Sequence, residues 1–136
     1  MVRQQLHVRT SRKGLVDISS LVQAVVDESG YREGMCNVFI HHTSASLIIN
    51  ENADPNVLRD LEAWMERAVV DGDSLFLHRE EGPDDMSAHV RAALTATSLL
   101  IPVAAGRLAL GVWQGVFLWE HRRAGSERKI SVSVWG

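Results

Sequence analysis

Apolar and polar residues alternate from Gln5 to Thr10, with Leu6 and Val8 set between polar neighbours, and this period of two predicts a half-buried strand ended by a Lys13-Gly14 turn. The period then lengthens. Leu21, Val22, Val25 and Val26 recur at helical spacing, so a helix is expected from Ile18 to about Glu28, capped by Asp17 and stopped at Gly30. Met35 to His42 and Ser46 to Glu51 are rich in β-branched and aromatic residues and predict two strands. The short Thr43-Ser44-Ala45 link between them predicts a hairpin.

Asp54-Pro55 reads as a helix start, because Asp satisfies orphan amides and Pro suits the first helical position; Leu58, Leu61, Met65 and Ala68 continue at helical spacing. From Val70 to Met86 the chain is polar and turn-rich, long enough for a functional loop, and it leads into a short helix from about Met86 to Thr95. The remainder, Ser98 to Trp135, predicts three or four strands punctuated by glycines. Strands, then helices, then strands again argue for one α+β domain over residues 1–136. The expected architecture is a mainly antiparallel sheet or sandwich, with two to three helices inserted between N-terminal and C-terminal strands.

Composition narrows the function without naming it. The 136 residues carry a net charge of −3 with no basic stripe, which argues against a nucleic-acid partner, while a small anionic substrate needs only a few local Arg. The longest apolar run, Leu99 to Ala105, is far short of the ~20 residues of a membrane span. With no signal-like N-terminus and a single cysteine, Cys36, the expectation is a soluble protein of a reducing cytoplasm with no membrane partner.

The polar residues beside apolar segments are the candidates for chemistry. On the strand ending at His42, Val38, Ile40 and His42 share one face, so His42 stands at the rim of an apolar row where partial burial favours neutral imidazole; His41 faces elsewhere and reads as structural. Asp85 is placed to cap the following helix. His89, four residues on, shares its face, a spacing that suits a metal pair or an Asp-oriented base as well as a plain cap beside a surface histidine. Gln114, Glu120 and Arg122 share strand parity with Val116 and Leu118, and a carboxylate in that row requires a metal, an Arg or a His beside it. Arg123, Arg128 and Lys129 read as an exposed, solvated hairpin. No Gly-x-Ser-x-Gly elbow accompanies Ser44, Cys36 reads as a small buried residue, and one cysteine leaves only N and O ligands for a metal.

Five ordered segments, His42-Thr43-Ser44-Ala45-Ser46-Leu47 with Ile49-Asn50-Glu51, Asp84 to His89, Ser98 to Val103, Gly111 to Gly115, and Glu120-His121-Arg122, resemble the blocks of the YjbQ-like family, also called secondary thiamine-phosphate synthase. The resemblance runs from about Val16 to Trp135. It implies a small α+β protein assembling as a homotrimer, with a pocket for a divalent metal ion, zinc among the candidates. On that basis His42 and His89 are the expected ligands; Asp85, Glu51, His89 and Glu120 the expected acid-base groups; and Thr43, Asn50, Gln114 and Arg122 the expected substrate contacts. The implied activity joins a pyrimidine pyrophosphate to a thiazole phosphate, a small phosphorylated substrate. The alternatives are a non-catalytic module binding a metabolite in the same pocket and a purely structural role for these residues at a trimer interface.

Overall fold

The computed structural model describes residues 1–136 as three helices and two antiparallel sheets, an α+β fold. In chain order the elements are β1 (Val2–Arg9), β2 (Gly14–Asp17), α1 (Ser19–Ser29), β3 (Gly34–Ile40), β4 (Ala45–Glu51) and α2 (Pro55–Ala68). Then follow α3 (Asp85–Leu94), β5 (Ser98–Ala104), β6 (Arg107–Leu108), β7 (Gln114–Glu120) and β8 (Glu127–Trp135). No helix is long and apolar enough to cross a membrane.

The larger sheet has strand order β1-β8-β3-β5-β6 and the smaller β2-β7-β4. The main core lies between them and includes the inward row of α1. Val38 and Ile40 from β3, Leu47 from β4, Val116 and Leu118 from β7 and Ile130, Val132 and Val134 from β8 are all buried there with Val22, Val25 and Val26. Each such side chain contributes roughly 1.5–3 kcal/mol by leaving water. The other face of the small sheet carries Trp119, covered by Met65 and Val69. β7 is therefore buried on both faces.

Local signals behave as their chemistry requires. The Asp54 side chain accepts from the Asn56 amide at 2.9 Å, with Pro55 opening α2, and Gly30 ends α1 in the left-handed conformation at φ 76°. Asp17 accepts from the Ser19 amide at 2.9 Å, although the helix starts one residue later than expected. Two expectations fail. β3 and β4 do not form a hairpin: β3 pairs with β5 and β8, whereas β4 pairs with β7 in the other sheet. The link at 41–44 crosses between layers, so that Ile40 on β3 and Leu47 on β4 enter the shared core from opposite sheets. Arg128, expected on an exposed hairpin, is buried, and β8 instead runs through the large sheet.

Candidate metal and acid-base site

The N-terminus of α3 and the two loops around it gather the charged groups. Asp84 occupies the N-cap position and Asp85 is the first helical residue, so the expected cap is displaced by one and the Asp85 carboxylate is free for other partners. Asp85 Oδ2 lies 3.0 Å from His89 Nε2, the expected i, i+4 relation, and 2.7 Å from His78 Nε2. The three ligand atoms lie within 4.8 Å of one another. His78 comes from the loop 69–84, a turn-rich segment recognisable as functional, but nothing in its spacing singled out this histidine. What brings it to α3 is the loop's closure on itself, where the Gly72 amide donates to the Pro83 carbonyl at 2.8 Å.

Two of the three groups, His89 and Asp85, are oriented from behind. His89 Nδ1 donates to the Thr43 carbonyl at 2.8 Å, which leaves the lone pair of a neutral ring on Nε2, facing the carboxylate. Two lone pairs facing each other at this distance suit a cation between them, and a ring whose far nitrogen is pinned to a carbonyl is the usual support of a metal-binding histidine. Two imidazoles and a carboxylate fit a divalent ion such as zinc. Arg122 grips the other side: Nη1 donates to Asp85 Oδ1 at 2.6 Å, Nε to Asp84 Oδ2 at 3.1 Å and Nη2 to the Glu81 carbonyl at 3.0 Å. Burial pushes the Asp85 carboxyl up, but its hydrogen bond to His78 and the charge of Arg122 outweigh this and hold it below the usual range. The carboxylate is thus kept ionised. We expect Arg122→Met to weaken divalent-ion binding by about 10–100-fold while the fold persists, measured by zinc titration against a competing chelator.

A second charged cluster lies deeper. Glu120 is fully buried, and its carboxylate accepts from Arg128 Nε at 2.7 Å and from the Arg122 amide at 3.0 Å, with the Thr10 hydroxyl as a further donor. The partner demanded by the apolar row is therefore Arg128. Arg128 Nη2 also donates to Ser44 Oγ at 3.0 Å, so this pair fastens the same loop whose Thr43 carbonyl orients His89.

The expected residues divide between the two ends of β4 and β7. Ala45 pairs with Glu120 at one end and Glu51 with Gln114 at the other, about 20 Å away at ~3.4 Å per residue. Within one chain Asn50, Glu51 and Gln114 are therefore apart from Asp85. They fasten local backbone: Asn50 Oδ1 accepts from the Glu51 amide at 2.7 Å, Glu51 Oε2 from the Asp54 amide at 3.3 Å and Gln114 Oε1 from the Gly111 amide at 2.7 Å. His42 lies beside His89 but outside the triad, since its Nε2 accepts from the Lys129 amide at 2.8 Å. Burial, then the Arg128 charge, lowers its pKa, as its place at the rim of the core predicted.

A model of the UPF0047 protein YjbQ-like family matches residues 4–136. The chain belongs to the YjbQ-like family. It is 52% identical over 131 residues to the UPF0047 protein sll1880 of Synechocystis, covering 96% of this chain and 89% of that one. It is 43% identical over 103 residues to the UPF0047 protein YjbQ of Escherichia coli O157:H7, covering 76% and 74%. Among solved structures, a YjbQ/UPF0047 family protein of Clostridium acetobutylicum superposes with a TM-score of 0.89 at 35% identity, covering 97% of this chain and 99% of that one. A Sulfolobus solfataricus protein described as of unknown function gives 0.90 at 29% identity, covering 99% and 96%.

His121 of this YjbQ-like chain sits between the two clusters and contributes to acid sensitivity. It is buried, with Nε2 2.8 Å from Ser46 Oγ, and burial, followed by the Arg91 charge, pushes its pKa down to about 3 from 6.5. The unfolded chain therefore takes up this proton first. The stabilisation is fully present above about pH 6.5 and is lost as pH falls toward 3, at ~1.4 kcal/mol per pH unit for one proton. Urea denaturation from pH 7.5 to 5 is expected to show this slope in the wild type and a flatter one in His121→Gln.

Proposed function

We propose that this protein is a metal-dependent enzyme acting on a small substrate, with His78, Asp85 and His89 as the ligand set. The observation that carries the reading is one carboxylate oxygen shared by two imidazole Nε2 atoms, with His89 held from behind by the Thr43 carbonyl and Asp85 by Arg122. When bound, a divalent ion would supply positive charge to a developing anion, the stabilisation that transfer from a pyrophosphate requires. Arg122 keeps Asp85 ionised and aimed, and the Thr43 carbonyl selects the His89 tautomer. His78 reaches the same Asp85 oxygen from its partly exposed loop.

The finer reading is thiamine-phosphate synthase chemistry: the thiazole nitrogen bonds to the pyrimidine methylene carbon while the carbon–oxygen bond to pyrophosphate breaks. Metal-loaded protein given both substrates should release equal amounts of thiamine phosphate and pyrophosphate, detected by mass spectrometry, with Asp85→Asn as control. Turnover absent from the wild type, or undiminished in Asp85→Asn, would sink this reading.

One observation favours a second reading, a binding module without turnover. The cations nearest the triad are already spent, Arg122 on Asp84 and Asp85 and Arg123 on Asp71, which leaves little to receive a pyrophosphate. Under that reading a metabolite raises the unfolding temperature with no product formed.

A further inference from the structure

His89 has a second neighbourhood. With His42, Thr43, Ala92, Ala93 and Thr97 it lines an open groove of about 520 Å³. A second depression of about 460 Å³ shares His42, Thr43 and Thr97 and runs on to Phe39. The shared residues place the two depressions side by side. Because its Nε2 accepts from the Lys129 amide, the neutral His42 ring carries its proton on Nδ1, a donor with no partner in the chain. The side chains of Thr43 and Thr97 are exposed, and their hydroxyls engage nothing within the protein. No Lys or Arg lines either depression, so nothing there is built to hold a charged group. The small side chains of Ala92 and Ala93 leave the groove beside His89 open.

Unspent neutral donors over an apolar floor suit a flat, uncharged group with acceptor atoms. We propose that the groove beside His89 binds an uncharged ring bearing hydrogen-bond acceptors, belonging to a ligand whose anionic end reaches the metal; this rests on the metal reading above. The groove and the triad then divide one ligand between them, neutral ring on one side of His89 and charge on the other.

Two probes with the same metal-binding head separate these contributions. Zinc-loaded full-length protein is titrated calorimetrically with acetohydroxamate, which has only a methyl beyond the head, and with nicotinohydroxamate, which adds a ring with an acceptor nitrogen. The ring probe is expected to bind about tenfold tighter (~1.4 kcal/mol). Ala93→Phe, on an exposed helix position, and the isosteric Thr97→Val should each cut that advantage to under about threefold, with zinc and acetohydroxamate affinity unchanged. Equal affinities in the wild type, failure of both hydroxamates to bind the zinc-loaded protein, or an advantage that survives both substitutions overturns the groove proposal alone. Failure of the protein to bind zinc overturns the metal reading and this one with it.

Discussion

Reconstituted wild-type protein is expected to retain about one divalent ion per chain, and His78→Ala, Asp85→Asn and His89→Ala are each expected to lower its affinity by more than about 100-fold. The reasoning follows the atoms. Loss of an outer supporting contact typically costs 10–100-fold, and loss of a ligand itself removes more. Asp85→Asn is the most informative of the three, because it keeps the shape, leaves Arg122 an oxygen to hold, and takes the charge from the oxygen that both imidazoles face. His42→Ala is expected to retain the ion, since the His42 Nε2 is engaged by backbone. Elemental mass spectrometry of the five proteins, with oligomer mass recorded in parallel, decides the matter. An ion lost from His42→Ala and kept in His78→Ala would reverse the assignment. The oligomer masses test the trimer that the family resemblance implies.

Removing the Glu120 charge is expected to be the most damaging change to stability. Glu120→Gln leaves the Arg128 guanidinium buried against a neutral amide, and breaking a buried pair on one side costs ~3–5 kcal/mol, a large fraction of the 5–15 kcal/mol by which domains are stable. The double change Glu120→Leu with Arg128→Met should recover much of that loss, because both desolvated charges disappear together. Urea denaturation of the single and double variants gives the comparison. If Glu120→Gln matched the wild type in stability and abolished turnover alone, Glu120 would belong with the chemistry after all.

Much of this molecule is written in local pattern. The α1 row of Val22, Val25 and Val26, the Asp54-Pro55 start of α2 and the Asp85–His89 spacing are short-range facts, and the fold keeps all of them. What local pattern did not reveal is pairing at long range. Ser46 to Glu51 reads as a strand from its own residues, but its partner is β7, more than 60 residues away, and only the competition of both strands for one core decides that. His78 escaped for the same reason: its partners lie on α3, and the path to them is a loop without periodicity. Arg128 was misplaced because a charged residue in an alternating segment reads as outward-facing, whereas the buried Glu120 draws it in. The family blocks carried Asp85 and His89 to the site and left Glu51 and Gln114 at the far end of the small sheet.

The pinch between the Gly72 amide and the Pro83 carbonyl gives the site a modular character. The segment between those two residues leaves and returns at nearly the same point and touches the body through His78 on Asp85 and the Glu81 carbonyl on Arg122, so the rest of its length and composition can drift without displacing a strand or a helix. One of the three candidate ligands sits inside this cassette while the other two are built into α3. Affinity for the ion and the fold that carries it are thereby separately adjustable, and a homologue with a rewritten cassette would keep the architecture and differ in what it holds.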